Sequence, residues 1–218
     1  MKTLIVVANH YNGHELWCSL GTLKKNNIKC TVIARAPIIS DEITGFAIET
    51  HFTLDAFDIE NLKDYACLLF ISGNMADTEA HWKDSKILSL VHKAIELKIL
   101  IGAICCSVPI IREAARDKRV SFFPLLRARD LLREAGAILS TLSVTIEDKL
   151  ITAENQMVTQ TWIESIANVL KGIPTELNWT DVGDITRQGL SSKRKVNPEV
   201  ERLRSTQKRT SHKSENKK

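Results

Sequence analysis

Four short apolar runs recur along the chain, separated by segments of helix length: residues 3–8 (TLIVVA), 29–34 (KCTVIA), 66–71 (ACLLFI) and 99–104 (ILIGAI). Strands of this length without polar alternation are buried on both faces. That pattern belongs to parallel sheets covered by helices on either side. Between the runs, residues 14–27 place Leu16, Leu20 and Leu23 on one helical face and carry Lys24 and Lys25 near the end, where cations favour a helix. Helices are also expected at 85–97, 108–117 and 125–135, and an amphipathic one at 156–171. Asp58 is placed to cap a short helix ending near Tyr65. Residues 45–54 read as further extended structure, and 144–152 as a hairpin turning at Asp148-Lys149.

The periodicity fades after Gly172-Ile173-Pro174. Three regions follow: a folded domain over 1–173, an extension or linker over 174–192, and a tail over 193–218. The tail holds ten Lys/Arg against three Glu, net +7. The whole chain has 30 basic and 26 acidic residues, so residues 1–192 hold 20 and 23, net −3. The basicity of the chain is therefore a property of its tail. That tail lacks aromatics and nearly lacks aliphatics, a composition that cannot offset ordering entropy, and is expected to be disordered. It could neutralise several phosphates through Lys193, Arg194, Lys195, Arg202, Arg204, Lys208 and Arg209 in a weak nucleic-acid or acidic-partner contact, or simply be solvated. No apolar run approaches the ~20 residues of a spanning helix, so no membrane association is expected. The first residues do not read as a secretory signal. Five cysteines, an odd number with no CxxC pair, speak against a disulfide framework and for a reduced, cytoplasmic location.

In an open α/β sheet, ligands gather past the C-terminal ends of the strands. Three segments lie there. In Gly102-Ala-Ile-Cys-Cys-Ser-Val108 a strand runs into Cys105 and a helix is expected to begin at once. A sharp strand-to-helix bend lifts its residue above the sheet, and the following amides and helix dipole would favour a thiolate. The alternative is two buried cysteines packing as small hydrophobes. In Ser72-Gly73-Asn74, a glycine would let the backbone approach a bound group and offer its amide, or would serve an ordinary turn. In Gly13-His14-Glu15, the carboxyl would project over the sheet edge or simply favour the helix start.

Together these segments resemble the DJ-1/PfpI (ThiJ/PfpI) superfamily, which has the class I glutamine amidotransferase-like fold. Ala103-Ile104-Cys105 is similar to the family's A-I-C elbow, and Ser72-Gly73-Asn74 to its G-G-N loop. Glu15 falls where the family keeps an acid beside the cysteine. Ala135-Gly136-Ala137 and Asp148-Lys149-Leu150-Ile151-Thr152 match its late A-G-A and D-G-x-L-I-T stretches. The resemblance spans about residues 3–171. It implies a flavodoxin-like three-layer sandwich with a mostly parallel central sheet. It also implies a catalytic pair of Cys105 and a largely protonated Glu15, an oxyanion pocket from the amides of Gly73 and Cys106, and a homodimer with the first helix near its interface.

The departures fall on the base. Phe123, in Ser121-Phe122-Phe123-Pro124, stands where the family places its usual histidine, and Cys106 stands where other members carry one. Ser107 replaces a common glycine, and Ala153-Glu154-Asn155-Gln156 an R-G-P-G-like stretch. General-base chemistry thus lacks its proton acceptor at both usual places. His10 and His14 are candidate substitutes, or solvated loop residues. His51, His81 and His92 are expected on loops or helix surfaces. No zinc-ligand spacing or phosphate loop is present, so neither a metal nor a cofactor is expected. Two functions stay open. One is a cysteine-centred protein of oxidative or carbonyl stress, a thiol sensor or weak glyoxalase- or deglycase-like enzyme acting on a small carbonyl or oxidant. The other is a catalytically degenerate member serving as a binding or regulatory module.

Overall fold

The computed structural model of the chain describes residues 1–174. The expected tail over 193–218, and all of the expected extension except Pro174, lie outside the described residues. The chain opens with strand β1 (Lys2–Val7), the short β2 (His10–Tyr11) and helix α1 (Gly13–Lys25). Four strands follow: β3 (Lys29–Ala34), β4 (Ile38–Asp41), β5 (Ala47–Glu49) and β6 (Phe52–Thr53). A short 3-10 helix, Ile59–Asp64, then leads to β7 (Cys67–Ile71), α2 (Met75–His81), α3 (Ser85–Glu96) and β8 (Leu100–Ile104). A 3-10 helix at Cys105–Ile111 comes next, then β9 (Arg119–Val120), α4 (Leu126–Glu134) and β10 (Ile138–Leu139). The hairpin β11 (Val144–Glu147) and β12 (Leu150–Ala153) precedes the last helix, α5 (Thr159–Leu170).

Seven strands form the central sheet in the order β11-β12-β8-β7-β1-β3-β6. All neighbours are parallel except the β11–β12 hairpin. The apolar runs explain this arrangement residue by residue. Leu4 and Val6 of β1, Leu68 and Phe70 of β7, and Ile101 and Ala103 of β8 pack on one face with Leu90 and Val91 of α3 and Leu132 of α4. The alternate residues Ile5, Val7, Leu69, Ile71 and Ile104 pack on the other, with Leu16 and Leu23 of α1 and Trp162, Ile163 and Ile166 of α5. This is the period of two expected of a strand buried on both sides. Each large apolar side chain so buried contributes about 1.5–3 kcal/mol.

The strand order places the site. From β1 the chain first moves to β3 and β6 on one side, then returns to β7 and β8 on the other. A crevice opens at such a reversal, outside the carboxyl ends of the strands. The segments after β1, β7 and β8 all emerge there. Asp58 caps the first 3-10 helix, accepting from the Glu60 amide at 3.0 Å. Asp148 turns the hairpin in the left-handed region, at φ 52°.

The extended stretch over 45–54 holds β5, which pairs with β4 beside β2 in a separate three-stranded sheet, and β6, which adds to the edge of the central one. One expectation changes. The helix expected at 108–117 is instead the 3-10 helix at Cys105–Ile111, followed by turns. Pro109 sits inside it. Its ring nitrogen cannot donate to the carbonyl four residues earlier, and the α region is disfavoured for Val108. Among the described residues, no helix is long and apolar enough to cross a membrane.

Candidate functional site

Asn12 begins the site. It caps α1 by accepting from the Glu15 amide at 3.1 Å, and its own amide donates to the Ser72 carbonyl at 2.9 Å. Its side-chain nitrogen donates to Gln156 Oε1 at 2.6 Å and Glu42 Oε1 at 3.2 Å. One residue thus ties the start of α1 to the loop after β7 and to the segment after β12. Sequence reasoning passed over it, although Asn-x-x-Glu before an apolar run is a helix-start signature.

Glu15, on the first turn of α1, is 0% exposed. Its Oε2 accepts from the Ser72 amide at 2.9 Å and the Ser72 hydroxyl at 2.8 Å. Its Oε1 is buried without a protein partner. Burial, then the facing Cys105 sulfur, push this carboxyl well above its ordinary range, against the pull of the Ser72 hydrogen bonds. A carboxyl in that state keeps its proton and has a donor to offer.

Cys105 follows the last residue of β8 with φ 57°. A left-handed conformation is uncommon for a residue with a Cβ and costs about 1–3 kcal/mol where the surroundings impose it. Those surroundings are visible. The Ser107 hydroxyl donates to the Phe70 carbonyl of β7 at 2.8 Å and accepts from the Ile104 amide at 3.1 Å. Trp82 Nε1 donates to the Cys106 carbonyl at 2.8 Å. The bend after β8 is pinned to β7 and to the end of α2.

The thiolate expected from a following helix is not what this environment favours. The Cys105 thiol donates to the Cys106 sulfur at 3.8 Å. That contact, then burial, push the Cys105 thiol up. The Cys106 amide and the Ser72 hydroxyl pull the other way. The helix behind it is seven residues of 3-10 form, so few peptide dipoles align toward the sulfur. Glu15, Ser72, Cys105 and the Cys106 amide nonetheless meet, as three separate strand ends deliver them.

Gly73 is placed differently from the expectation. Its amide donates to Thr78 Oγ1 at 3.0 Å, so it is committed within its own loop. A Cβ here would overlap the His10 carbonyl: the close approach that requires glycine is to β2, not to a ligand. His10 is not gathered to the thiol either. Its Nδ1 lies 2.6 Å from Asp77 Oδ2, and its amide donates to the same oxygen at 3.1 Å. His14 is exposed and lines an open groove of about 650 Å³ with Asn12, Trp17, Asp41, Gln156 and Met157. Phe123 is 37% exposed. His81 corrects an expectation: it is 2% exposed rather than on a helix surface, and burial lowers its pKa from 6.5 to about 4. Among the described residues, no group of three or more His, Cys, Asp or Glu could hold a metal ion.

Comparison with known proteins agrees with this architecture. The profile of the DJ-1/PfpI family matches residues 1–168. An uncharacterized protein of Methanocaldococcus jannaschii is 25% identical over 157 residues, 71% of this chain and 75% of that one. A ThiJ/PfpI domain protein from Brachyspira murdochii superposes with a TM-score of 0.71 at 14% identity, over 79% of this chain and 98% of that one. Schizosaccharomyces pombe DJ-1 superposes with a TM-score of 0.67 at 15% identity, over 88% of this chain and 99% of that one. At these identities the two structures speak for the fold alone.

Proposed function

The chain belongs to the DJ-1/PfpI family, and from that premise we propose that it is a cysteine-centred protein of oxidative or carbonyl stress, with Cys105 as the reacting atom's carrier and Glu15 as its proton-bearing partner. One observation carries the reading: a left-handed cysteine at a strand end facing a fully buried carboxyl whose second oxygen has no protein partner. When Cys105 loses its proton to react, or takes up oxygen, the neutral carboxyl can donate to the charged sulfur or its oxygen. The amide of Cys106 is the second donor.

The surroundings favour slow chemistry. A thiol held protonated is a poor nucleophile at neutral pH, and among the described residues Cys105 is hydrogen-bonded to the Cys106 sulfur rather than to a histidine that could accept its proton. A positioned base typically contributes ~100- to 10,000-fold. Glyoxalase- or deglycase-type turnover is therefore low, and oxidation of Cys105 is the principal reaction. All five cysteines are free, which suits the reducing cytoplasm. A homodimer would cover the exposed apolar residues Trp17, Ile43, Phe46 and Met157, beside the start of α1.

The test is intact-mass analysis after graded peroxide, with a parallel methylglyoxal turnover assay, on the wild type and Cys105→Ser. The wild type should be oxidised at Cys105 and turn methylglyoxal over slowly or not at all. Equal oxidation or turnover in Cys105→Ser would move the site elsewhere. An unoxidised Cys105 in the wild type, with no methylglyoxal turnover, would favour the second class, a binding module.

A further inference from the structure

Cys105 and Cys106 are consecutive, yet they do not point apart. The left-handed bend at Cys105 brings the two sulfurs to 3.8 Å. Cys105 is half-buried and Cys106 lies buried beside it. Trp82 holds the Cys106 carbonyl, and Ser107 holds the next residue to β7. The remaining thiols are elsewhere. Cys30 and Cys67 begin their strands at the opposite end of the sheet from Cys105. Cys18 on α1 is engaged with Gln160 Oε1 at 3.0 Å. Any oxidised form of Cys105 therefore meets one thiol first. The buried Oε1 of Glu15 has no protein partner, so it is uncommitted and can hydrogen-bond an added polar atom on the sulfur.

We infer that Cys105 and Cys106 form a reversible vicinal dithiol switch: Cys106 resolves the sulfenic acid that a hydroperoxide forms on Cys105, giving a Cys105–Cys106 disulfide. The inference rests on the reading of Cys105 as the oxidant-reactive residue. In the first step the Cys105 sulfur forms an S–O bond as the peroxide O–O bond breaks. The leaving oxygen departs as water, or as an alcohol from an organic hydroperoxide, with the thiol proton. In the second step the Cys106 sulfur forms an S–S bond to Cys105 as the S–O bond breaks, and the oxygen leaves as water with the Cys106 proton. Two thiols are oxidised and one peroxide is reduced.

The geometry decides the character of this bond. Adjacent Cα atoms across a trans peptide stand about 3.8 Å apart, whereas unstrained disulfides span about 4.4–6.8 Å. The bridge is strained, so it is readily reduced by a small thiol and serves as a switch rather than a staple. Because the resolving thiol is already in contact, disulfide formation outruns a second peroxide, and the irreversible sulfinate is suppressed.

The full-length chain, treated with graded hydrogen peroxide, then alkylated and mapped, tests this. The wild type should lose two alkylatable thiols on the one peptide that carries Cys105 and Cys106, with the mass falling by two hydrogens and dithiothreitol restoring both. Cys106→Ser and Cys106→Ala should instead accumulate Cys105 sulfinate, at least about ten-fold more than the wild type at equal peroxide. Circular dichroism of each variant confirms its fold, and the wild-type mapping stands without either variant. Sulfinate on Cys105 at equal rates in all three proteins, with no dithiothreitol-reversible species, would overturn the switch while leaving Cys105 as the reactive residue. Absence of any oxidation at Cys105, in the wild type and the variants alike, would overturn the reading beneath it. A reversible bridge from Cys105 to Cys18, Cys30 or Cys67 would also overturn the switch.

Discussion

Two acid-containing pairs sit past the carboxyl ends of the central strands, and they are opposites. Glu15 and Cys105 are dry: the carboxyl is fully buried and keeps its proton through burial and the facing Cys105 sulfur, and the thiol keeps its own through the Cys106 sulfur and burial. His10 and Asp77 are wet: the ring and carboxylate meet at 2.6 Å, with the His10 side chain 55% exposed. The dry pair has the geometry for a reaction but no ready base. The wet pair has an oriented base but no nucleophile in contact. Asp77 lies between two histidines that repeat the contrast, since His81 on the same helix is buried and kept neutral. Burial, more than residue type, decides which proton each group holds.

The largest expected effect tests burial itself. His81 has a folded pKa of about 4 against 6.5, so between these values the unfolded chain binds a proton that the folded one does not. The stability present above pH 6.5 is lost as pH falls toward 4, by up to about 3 kcal/mol. In His81→Leu this acid-side loss should largely vanish in urea titrations at pH 7 and 4.5. If wild type and variant lose stability in parallel, His81 is hydrated and the contrast with His10 fails.

Glu15 gives the mirror-image sign. Its folded carboxyl keeps a proton above the ordinary 4.5, so the folded state binds more protons. Its contribution is full below pH 4.5 and declines as pH rises toward the folded value. Glu15→Gln keeps the acceptor for Ser72 and should flatten that decline. Glu15→Leu strands the buried Ser72 amide and hydroxyl and should cost about 1–3 kcal/mol. Thermal melts across pH that find all three proteins alike would make Glu15 a helix-start acid and nothing more.

A smaller effect concerns the thiol. Removing the Cys106 sulfur takes away the leading cause of the raised Cys105 pKa. Cys106→Ala should speed iodoacetamide alkylation of Cys105 at pH 8 by about three- to ten-fold, because a gain in thiolate is partly offset by its weaker nucleophilicity. Unchanged rates would locate the cause in burial alone. The smallest expected effect probes the wet pair. His10→Ala should leave Cys105 alkylation and methylglyoxal turnover within about two-fold. A loss approaching the ~100-fold worth of a general base would show that the exposed pair closes onto the thiol in the working protein.

Much of this arrangement was legible in the residues. The unbroken apolar runs called for a parallel sheet, and all four became its strands. Asp58, Asp148 and the bend at Cys105 act locally, and local sequence marked each. Pro109, four residues past Cys105, also carries a local signal: a regular α-helix running straight on from the elbow would lack its amide there. His81 and Gly73 were misplaced for another reason. His81 is buried and feels the charge of Arg35 from a distant segment, and the group that Gly73 approaches is the His10 carbonyl on β2.

The sequence by itself determined the fold class, the elbow cysteine and the acid on the first helix, because apolar period, turn chemistry and helix starts act over a few residues. Only the tertiary structure decided that residues 15, 72 and 105 share one pocket, that Glu15 Oε1 lacks a protein partner there, and that Cys105 holds its proton. The order of β8, β7 and β1 in the sheet brings those three strand ends side by side. The protonation states then follow from how much water that packing removes.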